Sequence, residues 1–297
     1  MVKKLVPTHK YKTTVLFFDD NLEYLEFLRN NLVSNQYKFL FVNNIEEFNA
    51  YVQVSEKTRE YLPKPFVKLD NELSDDPKHD SFDFDISNIN KLRLINEKTD
   101  EISTVFIDNN LNNLNYNGYS VCEQNKKYTF NRVLLTGEND RANAINALNS
   151  KIIDLYIEKY NLDINISSHS NIIDKIMLSL NALTDSFFIN NNSYVNNLLS
   201  NRDFKELFES IVEDNNIIEY YLFDKETFLL IKSNNDEIFF KCWQEDSFTE
   251  YFEQNFDELD EQKVQKLNMI KEKLGIPTEK GVKPVIKFRN LYYCLYS

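Results

Sequence analysis

Through the first half of the chain, short runs of consecutive apolar residues alternate with longer stretches whose apolar residues recur every three or four positions. TTVLFF (13–18), YKFLFV (37–42), STVFI (103–107), NRVLLT (131–136) and IIDLYIEK (152–159) are predicted strands. NLEYLEFLRNNLV (21–33), a helix starting with IEEFNAYVQ (45–53), a helix near Tyr119 to Lys126, DRANAINALNS (140–150) and SNIIDKIMLSLNALTDSFF (170–188) are predicted helices. Strands this continuously apolar are buried on both faces, and their alternation with helices predicts a doubly wound, five-stranded parallel sheet of flavodoxin type. In such sheets chemistry collects at the carboxyl ends of the strands.

The pattern lapses between Val54 and Glu101, where KLDNELSDDPKHDSFDFDISN is acidic and short of aliphatics. This reads as a surface insertion near 55–100 that lengthens the second helix, with NINKLRLINEK (88–98) as a helical return. A second domain is predicted to begin after the Asn-rich stretch near Asn190, giving domains 1–190 and 191–297. DFKELFESIVEDN (203–215) has helical spacing, and IIEYYLFD, TFLLIKS and EIFFKCW follow at hairpin distances. Two charged helices, about 246–257 and 260–274, then VKPVIKFR and LYYCLY as closing strands, complete an α+β domain with an antiparallel sheet.

Composition narrows the function. Net charge is −13, and from Asn191 onward 20 acidic residues face 13 basic ones. That balance argues against a protein that grips duplex DNA through its phosphates. The chain has only four glycines, and asparagine takes over many turns, since it tolerates left-handed backbone. Cys122, Cys242 and Cys294 are widely spaced and odd in number, which suits small buried thiols in a reducing compartment. His9, His79 and His169 form no metal or triad pattern. No window is long and apolar enough for a membrane span, and a soluble cytoplasmic protein is expected.

Several strands end on polar or charged residues. The first runs into Asp19 and Asp20, the third into Asp108, the fourth into Thr136 and the fifth into Lys159. First and third strands are neighbours in a doubly wound sheet, so the three acids are expected at one edge. Three carboxylates there repel unless a divalent cation joins them, and oxygen ligands with room for water suit Mg²⁺. A hydroxyl and an ammonium beside them suit phosphoryl transfer onto Asp108 as nucleophile.

This ordered set resembles the receiver domain of two-component response regulators over roughly residues 12–190. The resemblance implies a phosphoacceptor at Asp108 and Mg²⁺ held by Asp19, Asp20, Asp108 and the carbonyl of Asn110. It also implies a switch made by Thr136, Gly137, Lys159 and the aromatic Tyr156, and a sensor histidine kinase or phosphotransfer protein as partner. A phosphorylation-dependent homodimer follows, as does a protein that catalyses only its own phosphoryl transfer and dephosphorylation. The LLTGENDRANAINALNSKIIDLYIEK stretch and the Asn-rich, Gly-poor style are similar to a quorum-sensing kind of response regulator, which pairs an extended receiver with an uncommon C-terminal domain. That implies signalling toward growth-phase and virulence control.

The chain departs from the family in three places. Asp20 and Asp108 lie 88 positions apart, about twice the usual gap. The Met-Pro after the phosphoacceptor is replaced by NNLNNLNYNG, with Gly118 later than usual. Tyr160 stands where a proline commonly follows the lysine.

The C-terminal domain is expected to be an interaction or sensory output domain. The alternative is a nucleic-acid- or nucleotide-binding regulator that uses the basic-aromatic end, with Lys283, Lys287 and Arg289 as ligand-binding residues beside Phe288, Tyr292 and Tyr293.

Overall fold

A computed structural model describes residues 6–64, 66–68, 82–111, 116–137, 141–168, 173, 176–177, 197–248, 275–278 and 281–297. They fall into two compact units. One comprises Tyr11–Leu62 and Ile95–Asp185; the other comprises Met1–Lys10, Pro63–Leu94 and Ser186–Ser297. The sequence reading kept residues 1–190 together. In the structure residues 6–10 and the described residues of 63–94 group with the C-terminal part.

The short strand β1 (His9–Lys10) belongs to that second unit. The chain then enters the first unit through β2 (Thr13–Phe18), α1 (Leu22–Asn31), β3 (Tyr37–Val42) and α2 (Ile45–Tyr61). It leaves for β4 (Phe66–Lys68), β5 (Phe82–Phe84) and α3 (Ile86–Arg93). It returns for β6 (Ile102–Asp108), β7 (Asn110–Leu111), β8 (Tyr116–Asn117), α4 (Gly118–Gln124), β9 (Asn131–Thr136), α5 (Arg141–Asn149), β10 (Leu155–Glu158) and α6 (Lys159–Ser168). The five long strands form one parallel sheet in the order β10-β9-β6-β2-β3.

Alternation along β2 explains why helices cover both faces of this sheet. Leu16 and Phe18 join a cluster with Phe48 and Val52 of α2, Val121 and Cys122 of α4, and Ala147 of α5. Val15 and Phe17 point the other way, into a cluster with Leu25 and Leu28 of α1 and Leu162 of α6. Both apolar layers drive formation of the sheet, since each fully buried Phe or Leu contributes about 1.5–3 kcal/mol. Asn21 caps α1 and Asn44 caps α2, each side-chain oxygen accepting a backbone N–H of the first turn.

Two elements differ from expectation. The strand predicted over 152–159 begins only at Leu155. Lys151 takes a left-handed backbone (φ 54°) after α5, and the Ile152 and Ile153 N–H groups turn back to the Ala147 carbonyl. Ile153 is therefore a buried cap of the helix end, not a strand residue. Lys159 opens α6, a helix the periodicity missed; most of the helix predicted over 170–188 lies outside the described residues.

The second unit continues with α7 (Arg202–Asp214), β11 (Ile217–Leu222), β12 (Thr227–Lys232) and β13 (Glu237–Gln244), close to the predicted helix and meander. A hairpin of β14 (Gly275–Thr278) and β15 (Gly281–Pro284) follows, then β16 (Ile286–Phe288) and β17 (Leu291–Tyr296). The predicted helices over 246–257 and 260–274 fall mainly outside the described residues. The main sheet is antiparallel, in the order β1-β11-β12-β13-β17-β16.

Phe204 and Phe208 of α7 pack on Phe228 and Phe240 of this sheet, and Phe208 meets Tyr220 edge-on at 5.0 Å. The insertion contributes to the same unit through α3. There Ile89 and Leu92 are buried, Asn90 donates to the Phe223 carbonyl at 3.3 Å and Arg93 pairs with Glu237 at 3.2 Å. Among the described residues, no helix is long and apolar enough to cross a membrane.

Candidate phosphoryl-acceptor site

Strands β2 and β6 run side by side in parallel, with Phe18 opposite Ile107. The residue after each of that pair is an aspartate, so Asp19 and Asp108 emerge together at the carboxyl edge. One carboxylate oxygen from each of Asp19, Asp20 and Asp108 lies within 4.8 Å of the others. Asp19 and Asp108 are buried and Asp20 is half-buried. The Asn21 N–H donates to Asp19 Oδ1 at 2.9 Å, so the turn that starts α1 also orients the acid.

Lys159, the first residue of α6, reaches into this group. Its Nζ lies 2.7 Å from Asp19 Oδ2 and 3.0 Å from Asp108 Oδ2. Burial pushes the Asp19 carboxyl above the usual range and the charge of Asp108 adds to this, against the opposing pull of Lys159. For Lys159 burial acts downward, but its bonds to Asp19 and Asp108 outweigh it and hold the ammonium above its ordinary value. One ammonium cannot neutralise three carboxylates. The excess negative charge in a partly desolvated pocket suits a hard divalent cation.

The unusual loop after Asp108 is a hairpin. Asn110 pairs with Asn117 and Leu111 with Tyr116. The Gly118 N–H donates to the Asn109 carbonyl at 3.0 Å, which makes Asn110–Asn117 the non-hydrogen-bonded pair. The ladder therefore leaves the Asn110 carbonyl unused. The hairpin also returns the chain to the acid: a Cβ on Gly118 would sit 2.5 Å from the Asp108 carbonyl oxygen and 2.8 Å from Asn109 Cα. Gly118 comes late in sequence but meets the Asp108 backbone directly, and only glycine fits there.

Thr136 is buried at the end of β9, whose Leu135 pairs with Asp108. Gly137 follows it, exposed, and a Cβ there would meet no atom within 4 Å. Tyr156 on β10 pairs with Leu134 and packs, half-buried, against the core layer that contains Val105 and Ile107. Sequence reasoning missed Tyr24 of α1. Its ring lies under the Lys159 ammonium, 4.6 Å from Nζ to ring centroid. The one signal available was its place one turn after the acidic pair.

The basic C-terminal residues lie in the second unit. Lys287 is 3.7 Å from Glu245 and over the Tyr292 ring. Arg289, in a left-handed turn between β16 and β17, pairs with Asp203 and, at 2.8 Å, with Glu206 of α7. Lys283, on β15, pairs with Ile276 in the separate two-stranded hairpin.

No protein-family model and no curated protein matches the sequence. Among solved structures, the chain is similar to the response regulator LqsR of Legionella pneumophila, with 20% identity and a TM-score of 0.62, over 97% of this chain and 88% of that one. A response regulator receiver domain protein from Clostridium thermocellum matches with 18% identity and a TM-score of 0.29, over 55% of this chain and 98% of that one. The signal receiver domain of an HD domain-containing protein from Pseudomonas fluorescens Pf-5 matches with 16% identity and a TM-score of 0.34, over 59% and 97%. In fold, this chain resembles the Legionella response regulator LqsR, with a flavodoxin-like, receiver-type parallel sheet and a separate antiparallel sheet.

Proposed function

We propose that this chain is a response regulator of a two-component phosphorelay, accepting a phosphoryl group on Asp108 from a sensor histidine kinase or a phosphotransfer protein. The observation that carries this reading is the convergence of Asp19, Asp20 and Asp108 on one another and of Lys159 on two of them. Burying charge is costly unless it is paired, and here one ammonium faces three carboxylates, an imbalance that a divalent cation would offset.

Asp19, Asp20 and Asp108, with the Asn110 carbonyl, are the residues that would hold Mg²⁺. The fit rests on oxygen donors alone and on the carboxyl of Asp19, raised by burial and by its neighbour's charge. Bound there, the ion would neutralise charge on the phosphoryl oxygens.

The chain's own residues do the rest. A carboxylate oxygen of Asp108 attacks phosphorus; the bond to the donor's leaving atom breaks with its electron pair, giving an acyl phosphate. Lys159 exchanges a carboxylate oxygen for a phosphoryl oxygen, and the Thr136 hydroxyl donates to another. Gly137 leaves that loop unobstructed, and Tyr156 rotates inward to fill the space Thr136 vacates. The signal then passes to homodimerisation or to interactions of the C-terminal unit, in quorum-sensing and virulence signalling.

Acetyl phosphate with Mg²⁺ tests this. Intact mass is expected to rise by one phosphoryl group in the wild type, and not in Asp108→Asn or with a chelator. A wild type that takes up no phosphoryl group contradicts the proposal.

A second reading is a phosphorylation-controlled nucleic-acid- or nucleotide-binding regulator acting through Lys283, Lys287 and Arg289. Its support is that Lys287 and Arg289 are about half exposed and lie over the Tyr292 and Phe288 rings. Against it, both cations already have acidic partners. Salt-dependent binding of single-stranded RNA that is lost in Lys287→Ala would favour it.

A further inference from the structure

We propose that Tyr24 is a positioning residue for Lys159: its ring seats the ammonium against Asp19 and Asp108, and its hydroxyl fastens that ring to α6. The functional part of this inference rests on the phosphoacceptor reading above. Tyr24 is the third residue of α1, so one short turn carries both the acidic pair and this ring. Lys159 Nζ lies 4.6 Å from the ring centroid. The Tyr24 hydroxyl donates to Asp163 Oδ1 at 3.0 Å. Asp163 stands four residues after Lys159, one helical turn further along α6, so the tyrosine spans that turn. Phe27 stacks beside it, with centroids 6.2 Å apart and planes at 23°.

The ring therefore has three neighbours that fix it, and the ammonium has three that fix the ammonium: two carboxylates and one aromatic face. A lysine side chain has four rotatable bonds and a compact charge that swings freely when held only by ion pairs. An aromatic face favours the cation without competing for its hydrogen-bond donors. Lys159 would then wait within reach of the phosphoryl oxygens instead of searching for them, which is the positional gain an oriented group gives a transfer step. Burial and the carboxylates of Asp163, Asp19 and Asp108 push the Tyr24 hydroxyl well above its usual range, so it stays a neutral donor and the ring keeps its neutral face.

Two variants and one double variant decide this. In metal-free buffer, acetylation of Lys159 by acetic anhydride, read by peptide mapping, is expected to speed up about threefold to tenfold in Tyr24→Leu. Tyr24→Phe keeps the ring and is expected to show less than half of that change. With acetyl phosphate and Mg²⁺, Tyr24→Leu is expected to slow phosphoryl uptake in the presence of Lys159 and to have no effect in a Lys159→Ala background, the mark of a residue acting through another.

Unchanged Lys159 labelling in Tyr24→Leu overturns the inference. So does equal slowing with and without Lys159, which would mean that Tyr24 acts through the fold. Failure of the phosphoacceptor reading is visible separately, as absent uptake in the wild type, while the labelling result still judges whether Tyr24 positions the lysine.

Discussion

The parallel-sheet unit buries Asp19, Lys98, Asp108 and Arg132, whereas in the antiparallel-sheet unit the buried polar residues among those described are Thr8 and Thr227. The second unit spends its interior on aromatic packing instead, with Phe204, Phe208, Phe228 and Phe240 around one another. Burial of charge alone does not mark a site. Arg132 and Asp154 clasp β9 to the turn before β10 at 3.1 Å, which is a structural pairing. What sets the Asp19–Asp108 edge apart is an excess of one sign, gathered where two parallel strands end. The comparison teaches that, among the described residues, one unit gathers charged side chains at a strand edge while the other fills its interior with aromatic rings.

The strongest way to press this contrast is to cut the aromatic core. Phe208→Ala is expected to cost about 3–5 kcal/mol of stability, read as a lower denaturant midpoint. Phosphoryl uptake per folded molecule should survive it; loss of uptake in the folded variant would mean that the two units are not separable in this way. Next comes Gly118→Ala. Its Cβ falls on the Asp108 backbone, so a loss of about 1–3 kcal/mol is expected together with slower uptake. Gly137→Ala meets open space and should stay within about 0.5 kcal/mol of the wild type.

Lys159→Ala sharpens the contrast further. Uptake should remain measurable, while any phosphate-dependent shift in light scattering disappears; a full shift without Lys159 would remove its switch role. The smallest effect is expected at the cysteines. Burial pushes Cys122 up to about 12 and Cys294 up to about 11. Native alkylation at pH 8 should be orders of magnitude slower than that of an exposed thiol. Rapid labelling of either in the folded protein would show that these interiors open readily.

The parallel sheet and its acid edge were legible in the sequence because long apolar runs and the charges that end them are local signals. Asp19, Asp20, Asp108, Thr136 and Lys159 each sit where a run stops. What was illegible depends on pairing at a distance. His9 and Lys10 carry no strand pattern and become β1 only because their backbone pairs with Tyr221 and Tyr220. Ile89 and Leu92 of α3 read as a helix that could pack anywhere, and nothing local says that α3 lies with β11. The boundary drawn at residue 190 lies near Ser186, where the last stretch of the second unit begins, but it does not register that Pro63–Leu94 groups with that unit.

The NNLNNLNY stretch hid a hairpin because its strands are two residues long, and Ile152–Ile153 mimicked a strand while serving as a helix cap. Tyr24 sat in an amphipathic helix, where an aromatic ordinarily means packing. Its contact with Lys159 needs the sheet order to be known first.

The central claim is that Asp108 carries the phosphoryl group. The most direct test is to treat the protein with acetyl phosphate and Mg²⁺, reduce the product with borohydride, and map the peptides. An acyl phosphate is reduced at its carbonyl, so the residue that held it becomes a homoserine. The account predicts homoserine at position 108 alone, dependent on Mg²⁺. Homoserine at Asp19 or Asp20, or at no position, would contradict it.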